Sequence, residues 1–447
     1  MLTLDALKKL VSSDEIDTVI IALTDLQGRL QGKRLTAQYF LDEVAGHGAE
    51  ACNYLIAVDV EMRTVGGYNI SSWERGYGDL RMKPDFATLR LIPWLEKTVM
   101  IQCDLEDHSH APVVESPRQV LQRQLDRLAT HGLECLAATE LEFMLFNETY
   151  ENAARMHYYD LEPANQYNVD YSILGTTRVE PIIGRIRREM KGAGLYCENS
   201  KGECNLGQHE INFKYKTALE TADDHVVFKN GCKEIAAHFG AAITFMAKFN
   251  EREGNSCHIH MSLRHTSGQK KGKALFAEDR SSFESFLAGL LECQREFTLL
   301  YAPNINSYKR YAVGSFAPTA IAWGSDNRTC GFRVVGHGPS LRVENRVAGA
   351  DANPYLALAA MIAAGLYGIE NKLALEPEFK GNAYSSKKPR VPNTLRQARD
   401  LFAKSKRALE AFGPEVVHHY TNAADVELEA FEAAITDWER VRGFERL

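Results

Sequence analysis

Residues 134–146 read ECLAATELEFMLF, a long apolar run with two glutamates, Glu140 and Glu142, inside it. Alternate side chains of a β-strand point to the same face, so both carboxylates lie on one side. The surrounding residues are apolar on both faces, which is typical of a buried strand. Two like charges there repel each other and lose hydration, which costs several kcal/mol unless a cation compensates them. A strand with one face open to solvent is the alternative interpretation.

The composition excludes several classes of protein. The 447 residues include 52 Lys and Arg against 59 Asp and Glu, a net charge of −7, with 45% hydrophobic residues, as in a globular protein. No nucleic acid partner is expected, because phosphate neutralisation needs a basic excess. No apolar run approaches the roughly 20 residues of a membrane span, so no membrane partner is expected. Residues 1–10 carry Asp5, Lys8 and Lys9, unlike a secretory signal, and we expect a cytoplasmic protein.

The order of apolar and turn residues predicts two parts. The first is rich in strands, predicted over residues 18–24, 29–36, 87–93 and 98–104, with a short helix over 37–46. A polar stretch at 106–116 marks a boundary, and Ser116-Pro117 begins a helix. The second part is α+β. Its predicted helices are 181–192, 221–239, 282–300 and 354–370, its predicted strands are 209–215, 242–248, 256–263 and 341–347, mostly antiparallel, and a helical tail starts at 394.

Two further segments offer ligands for a metal. Glu203 and Glu210 flank Gly207, which lets the backbone curve so that both carboxylates can converge. His258 and His260 lie two residues apart and share a strand face. Two imidazoles with a carboxylate also suit zinc or iron. The full set is rich in oxygen, which favours Mg²⁺ or Mn²⁺.

Charged side chains also alternate over residues 342–346, where Arg342, Glu344 and Arg346 share one face. Such a face suits an anionic ligand beside a metal, although a solvated charged strand is the alternative. No glycine-rich nucleotide motif is present, so any nucleotide phosphates must be held by metals and arginines. Five arginines within forty residues fit phosphoryl transfer: Arg310, Arg328, Arg333, Arg342 and Arg346.

Taken in order, these segments resemble the glutamine synthetase family. The resemblance runs through DLQG at 25–28, ELEF at 140–143, GQHE at 207–210, GNSCHIH at 254–260, NSYKR at 306–310, RVE at 342–344 and ANPYL at 352–356. It implies an α+β protein with an N-terminal β-grasp domain, residues 1–110, and a catalytic domain, residues 111–447, built on a curved antiparallel sheet with surrounding helices. It also implies hexameric rings, stacked as a dodecamer, with each active site between two subunits.

The resemblance further implies a reaction in which ATP phosphorylates the γ-carboxylate of glutamate and an amine displaces the phosphate. Two sites for Mg²⁺ or Mn²⁺ are implied, or at most three. Their ligands are Glu142, Glu203 and Glu210 at one site and Glu140, His258 and Glu344 at the other. Glutamate and the amine are assigned to Glu142, Glu203, Gly254, His258, Arg310, Arg346, Phe316 and Asn53. ATP is assigned to Glu198, Tyr215, His260, Ser262, Arg328, Arg333 and Arg342, and the catalytic set is Arg310, Arg328, Arg346 and Glu61.

Two departures from the family pattern concern the amine. Ammonia-using members carry a carboxylate on a flap just before Ala-Pro, and here VGSFAP at 313–318 places Phe316 there. The small-domain aspartate of those members aligns with Asn53, with Asp59 and Glu61 a few residues on. The pattern is similar to members that join glutamate to organic amines such as ethanolamine or polyamines. The alternatives are an authentic glutamine synthetase that uses ammonia and a non-catalytic assembly protein with this fold.

Overall fold

The first sheet is built from the strand-rich N-terminal part of the chain. A computed structural model describes residues 1–447. The strand order is β2-β1-β6-β4-β3 with β5 added to β6, and β1 and β6 are parallel while the other pairs are antiparallel. The strands are β1 (Thr18–Thr24), β2 (Leu30–Thr36), β3 (Ala49–Cys52), β4 (Asp79–Pro84), β5 (Arg90–Leu91) and β6 (Thr98–Glu106).

One predicted strand of this part is wrong. Residues 87–93 do not form a continuous strand, because Phe86–Thr88 is a 3-10 turn and only Arg90–Leu91 pairs with β6. The turn is fixed by Asp85, whose carboxylate accepts the Ala87 backbone N–H at 3.0 Å. A side chain cap of this kind offers the backbone an alternative to the sheet.

The second sheet has nine strands, and the predicted strand of residues 134–146 is its centre. The order is β13-β14-β15-β12-β7-β9-β8, and β10 and β11 also pair with β7. The strands are β7 (Leu133–Phe146), β8 (Cys197–Gly202), β9 (Gln208–Phe213), β10 (Lys216–Thr217), β11 (Ala242–Thr244), β12 (Cys257–His265), β13 (Trp323–Ser325), β14 (Phe332–Val335) and β15 (Arg342–Asn345).

The second sheet is mostly antiparallel, as predicted, with one parallel pair. β13 and β14 are parallel, with Trp323 opposite Phe332, while every other pair of this sheet is antiparallel. The connecting residues fold back closely over β13, since a Cβ at Gly324 would lie 2.8 Å from that of Asn327. The chain therefore returns to the start of β13, and β14 runs parallel to it.

The four predicted helices of the second part coincide with α7, α8, α10 and α12 to within a few residues. α12 has apolar residues on all sides and is almost entirely buried. No helix is both long enough and apolar enough to cross a membrane. The cytoplasmic location and the domain bounds 1–110 and 111–447 stay predictions.

The helices are α1 (Leu4–Ser12), α2 (Ala37–Tyr39), α3 (Ala45–His47), α4 (Pro117–Thr130), α5 (Tyr150–Arg155), α6 (Ile173–Thr177), α7 (Glu180–Gly192), α8 (Ala218–His238), α9 (Leu275–Glu278), α10 (Arg280–Tyr301), α11 (Ile305–Lys309), α12 (Pro354–Glu370), α13 (Leu395–Ala403), α14 (Lys406–Phe412), α15 (Pro414–Ala433) and α16 (Asp437–Gly443).

The two sheets are joined at the turn after β1. Gly28 has φ +74°, and a Cβ there would lie 3.3 Å from the Cα of Asn353, so only glycine fits easily. The Asn353 side chain amide donates to the backbone carbonyls of Asp25 and Leu26, each at 3.1 Å. The start of α12 is thereby fixed against the first sheet.

Candidate active site

Strand β7 places the predicted carboxylates on one face. Glu142 lies opposite Glu210 of β9, and Glu140 lies opposite His258 of β12. Leu141 between them points into the hydrophobic core. The period of two therefore places both carboxylates on one face of the strand and Leu141 on the other, as predicted.

Glu142, Glu203 and Glu210 form what we name the carboxylate cluster, in which one oxygen from each residue lies within 4.8 Å of the others. The Glu142 carboxylate accepts the Gln208 side chain amide at 3.1 Å and the Ser256 backbone N–H at 2.7 Å. A single ammonium group, that of Lys201, contacts Glu203. Three buried or half-buried carboxylates are thus accompanied by a single ammonium group, that of Lys201.

The protonation of this cluster reflects that shortage of positive charge. Burial, together with the charges of Glu203 and Glu210, raises the pKa of Glu142 to about 8. Burial and the charges of Glu140 and Glu203 raise the pKa of Glu210 to about 7. A divalent cation at this position would favour the ionised forms that the site otherwise suppresses.

Glu140, His258, His260 and Glu344 form a second group, which we name the histidine cluster. The His258 Nδ1 atom lies 3.5 Å from a Glu140 oxygen and 3.7 Å from a Glu344 oxygen. The His260 Nε2 atom lies 2.8 Å from the other Glu140 oxygen. His260, which the sequence analysis assigned to ATP, therefore contacts the same glutamate as the predicted metal ligand His258.

In the histidine cluster, imidazole and guanidinium groups compensate the two carboxylates. Burial alone would raise the pKa of Glu140, but the two imidazoles hold it well below its usual range. The pKa of Glu344 is also lowered, because His258 and Arg346 outweigh its burial. Burial and the charge of Arg346 lower the pKa of His258 to about 4, which leaves a neutral imidazole able to bind a metal.

Both donor sets fit divalent cations. The carboxylate cluster offers only hard oxygen ligands, which suit Mg²⁺ or Mn²⁺. The histidine cluster adds imidazole nitrogen. A ring nitrogen of His260 and one oxygen each from Glu140 and Glu344 lie within 4.8 Å of one another, and the His258 Nδ1 atom lies 3.5 Å and 3.7 Å from the same two carboxylates. A mixed set of oxygen and nitrogen ligands suits a divalent cation.

Two buried arginines lie behind these clusters. The guanidinium of Arg310 donates to the Val347 carbonyl at 3.0 Å and to the Ser256 hydroxyl at 2.7 Å, and no carboxylate pairs with it. Arg346 contacts Glu344, and its Nε atom is buried without a partner. Arg333 bonds to Glu344 at 2.9 Å. Positive charge is therefore held beside the clusters and is incompletely neutralised.

Both clusters open into a cavity of about 600 Å³, which we name the central cavity. Phe316 and Gly254 form part of its wall, and the predicted arginines Arg328, Arg333 and Arg346 line it. Phe316 holds a left-handed backbone conformation, with φ +56°, which is unusual for a large side chain.

A second cavity of about 560 Å³, the side cavity, meets the central cavity at Glu140. The side cavity collects five residues that the sequence analysis assigned to ATP, namely Glu198, Tyr215, His260, Ser262 and Arg342. These five residues lie in four separate segments of the sequence, and the fold brings all of them to the lining of the side cavity.

Four predicted residues line neither cavity. Arg310 and Glu344 are fully buried against residues that do line the central cavity, whereas Asn53 and Glu61 lie away from it. Asn53 is buried in the 3-10 turn after β3, where it donates to the Ile70 carbonyl at 3.1 Å and accepts from Ser71 at 2.6 Å. Glu61 is exposed and forms an ion pair with Arg63. Neither residue lines the central cavity of its own chain.

Comparison with known proteins decides the family. The family model "Glutamine synthetase, catalytic domain" matches residues 114–442. The chain belongs to the glutamine synthetase family. It is 58% identical over 446 residues to γ-glutamylethanolamide synthetase of Streptomyces coelicolor, covering 100% of this chain and 96% of that protein. It is 37% identical over 444 residues to glutamate–isopropylamine ligase of a Pseudomonas species, covering 97% and 96%. The solved structure of apo GmaS without ligand matches with a TM-score of 0.86 at 26% identity, covering 100% of both chains.

These findings confirm the predicted α+β glutamine-synthetase fold and an ATP-dependent carbon–nitrogen ligase that joins glutamate to an amine. They set aside the non-catalytic assembly protein. As a member of the glutamine synthetase family, the chain uses ATP and a divalent metal. The identity and number of the metal ions, the oligomer and the role of each site residue stay predictions.

Sequence reasoning missed several side chains of the central cavity. Gln208 and Ser256 lie in quoted motifs, and only the structure shows that they hold Glu142. Lys201 precedes Glu203 by two residues, a spacing that could have been noticed on a strand. Asp170 and Tyr171 also line the cavity, but they lie in a loop with no periodic pattern.

Proposed function

We propose that this member of the glutamine synthetase family joins the γ-carboxylate of glutamate to ethanolamine, or to a similarly small organic amine, through γ-glutamyl phosphate. The observation that carries the choice of amine is Phe316 in the wall of the central cavity, where ammonia-using relatives place a carboxylate. An apolar wall cannot compensate a small, strongly hydrated ammonium ion. The likeness to a protein named γ-glutamylethanolamide synthetase supports the same amine.

Two divalent cations, Mg²⁺ or Mn²⁺, are assigned to the two clusters. Glu142, Glu203 and Glu210 would hold one ion, and Glu140, His258 and Glu344 the other. Such ions neutralise the charge on the transferring phosphoryl oxygens. The raised pKa of Glu142, caused by burial and by its two acidic neighbours, supports a cation at the first position. The His258 Nδ1 atom, which faces carboxylate oxygens of Glu140 and Glu344 at 3.5 Å and 3.7 Å, supports a cation at the second.

The buried arginines suit the anionic substrate. Arg310 and Arg346, with the backbone at Gly254, would hold glutamate, because a carboxylate fits the fork of a guanidinium. Arg310 has no acidic partner within the protein and donates to the hydroxyl of Ser256, which lines the central cavity. Arg328 lines the same cavity and would contact the phosphoryl group as it is transferred.

ATP is assigned to the side cavity. Glu198, Tyr215, His260 and Ser262 would contact the nucleoside, while Arg333 and Arg342 would contact the phosphates. The junction of the two cavities at Glu140 supports this assignment, because phosphates entering from the side cavity would reach both clusters. Arg342 lies 3.2 Å from His260, on the same wall.

We also propose that the chain assembles into hexameric rings, stacked as a dodecamer, and that Asn53 and Glu61 of a neighbouring subunit face the site. The distance of both residues from the central cavity of their own chain supports an assignment between subunits. Glu61 is exposed, as a residue that meets another chain must be before assembly.

A competition experiment tests the proposed acceptor. The enzyme is given ATP, Mg²⁺, limiting glutamate and an equimolar mixture of ammonium, ethanolamine, putrescine and isopropylamine, and the products are identified by mass spectrometry. We expect γ-glutamylethanolamide to be the main product. Glutamine as the main product would show an authentic glutamine synthetase and would contradict the proposal.

A further inference from the structure

Six acidic side chains line the central cavity, and the metal assignments use four of them: Glu140, Glu142, Glu203 and Glu210. Asp170 and Glu253 remain. Asp170 approaches the carboxylate cluster closely, since its carboxylate, a Glu203 oxygen and the Cys204 sulfur all lie within 4.8 Å of one another. Asp170 therefore lies beside the carboxylate cluster without being one of the assigned metal ligands.

The Lys201 side chain shows what this corner of the cavity can bind. Its ammonium group lies 3.5 Å from Asp170, contacts Glu203 and faces the Tyr171 ring at 4.7 Å from the ring centre. Carboxylates together with an aromatic face are the groups that attract an alkylammonium ion. The corner already holds a primary alkylammonium, one that belongs to the protein itself.

Asp170 is only lightly engaged by these neighbours. Its closest side-chain contacts are Lys201 at 3.5 Å and the Cys204 thiol at 3.7 Å. A third of the side chain is exposed. The carboxylate therefore has an open side on which a second ammonium group can be bound.

Two aromatic residues contribute to the wall of the central cavity. Tyr171 and Phe316 come from separate loops, both line the central cavity, and both have a left-handed backbone, with φ +53° and +56°. Such conformations cost free energy in non-glycine residues and concentrate at functional sites. The Tyr171 ring shares the Lys201 ammonium with Asp170, and Phe316 adds apolar surface to the same cavity.

We propose that Asp170 is the residue that binds the ammonium group of the acceptor amine, with Tyr171 and Phe316 against its carbon chain. This inference rests on the proposed function and replaces Glu61 as the acid that selects the amine. Asp170 lines the cavity of its own chain beside the carboxylate cluster, while the carboxylate of Glu61 is already paired with Arg63. The loop that carries Asp170 then determines specificity together with the Phe316 flap.

The test compares Asp170→Asn with Asp170→Glu and with Glu253→Gln, which removes the other unassigned acid of the cavity. Thermal unfolding confirms that each variant is folded. Phosphate release is measured with ethanolamine, a cation at neutral pH, and with hydroxylamine, which is mostly uncharged there. Values of KM for glutamate and ATP are measured in parallel.

For Asp170→Asn we expect kcat/KM for ethanolamine to fall about 30-fold, which corresponds to about 2 kcal/mol, a typical value for a hydrogen bond to a charged group. Hydroxylamine turnover and KM for glutamate and ATP should change less than about threefold. Asp170→Glu should recover part of the loss, and Glu253→Gln should resemble wild type. Equal losses with ethanolamine and hydroxylamine, a rise in KM for glutamate alone, or an equal effect of Glu253→Gln would overturn the assignment.

Failure of the proposed function gives a different result. If wild type turns over ammonium and not ethanolamine, the proposed acceptor is wrong, and the Asp170 comparison is made with ammonium, which is also a cation. A selective loss with ammonium would still support Asp170. No selective loss would reject it.

Discussion

Glu140 and Glu142 are two residues apart on one strand, and their pKa values shift in opposite directions. The imidazoles of His258 and His260 compensate the first, whose pKa is lowered despite burial. The second is buried and faces two more carboxylates, so its pKa is raised to about 8. The need for an added cation is therefore concentrated at Glu142, Glu203 and Glu210.

This difference predicts how stability depends on pH without metal. Since the folded-state pKa of Glu142 is raised from its usual 4.5 to about 8, the native state holds a proton that the unfolded state has lost between these values. The contribution of Glu142 to the free energy of unfolding therefore falls as pH rises through this window. In EDTA, the Tm of Glu142→Gln minus that of wild type should increase from about pH 5 to about pH 8. Parallel Tm curves for the two proteins would show that Glu142 does not titrate in this way.

Substitution of a metal ligand in the histidine cluster should abolish most of the catalytic activity. Glu140→Ala or His258→Ala removes a ligand of the predicted second metal, and phosphate release should fall at least about 10³-fold, or about 4 kcal/mol in the barrier. Glu134→Ala is the matched control, because Glu134 lies on the same strand and pairs only with Arg264. Near-wild-type turnover by folded Glu140→Ala or His258→Ala would reject the assignment of these ligands.

At the scale of elements, strand β7 and its neighbours were predictable because burial leaves a strong pattern. The apolar flanks of Glu140 and Glu142 and the alternation around His258 each give the face of a strand from spacing alone. The loop of Asp170 and Tyr171 has no such pattern, and its place in the cavity depends on tertiary packing. The contact between His260 and Glu140 depends on which residues of β7 and β12 lie opposite each other. The sequence of either strand alone does not determine this register.

One buried ion network joins the elements of the two sheets. Arg118 of α4 bonds to Asp223 of α8 through two nitrogens, each at 3.0 Å, and pairs with Asp85 and with Asp104 of β6. The Tyr355 hydroxyl of α12 donates to the same Asp223 at 2.7 Å. This network fixes the first sheet to three helices of the larger core.

Breaking the network should destabilise the protein strongly. Arg118→Met leaves three carboxylates without their partner, which should lower the free energy of unfolding by about 3 kcal/mol or more. Arg396→Met, which removes an exposed pair with Glu432, should cost less than about 0.5 kcal/mol. Urea unfolding measures both variants, and similar small effects would mean that Arg118 is not a joint between the sheets.

At the scale of the whole molecule, the site as seen in one chain has no wall from the first sheet. The central cavity is lined only by residues of the second sheet and its loops. A neighbouring subunit in a ring would supply the missing side, and Asn53 and Glu61 are the predicted contributors.

Mixed rings test that arrangement. An Arg346→Ala variant and a Glu61→Ala variant should each be weakly active alone, and reassembly of the two together should restore part of the activity. Activity returns at those interfaces where an intact cavity meets an intact neighbouring small domain. Random mixing of equal amounts makes about a quarter of the interfaces of this kind, so the activity should reach at most about a quarter of that of wild type. Mixing without reassembly is the control. A fully active monomer by light scattering would contradict a site between subunits.

The central claim is that this site accepts an organic amine in preference to ammonia. Two methylenes buried against an apolar wall contribute about 1.6 kcal/mol, near a fifteen-fold preference. Phe316→Glu, which restores the flap carboxylate, should narrow or reverse that preference. Phe316→Leu, which keeps the wall apolar, should retain it.

The most direct test is the ratio of kcat/KM for ethanolamine to kcat/KM for ammonium in the unmodified enzyme, measured by phosphate release with saturating ATP and glutamate. The apolar wall predicts a ratio of about 15 or more in favour of ethanolamine. A ratio below one would make ammonium the better substrate and the protein an authentic glutamine synthetase.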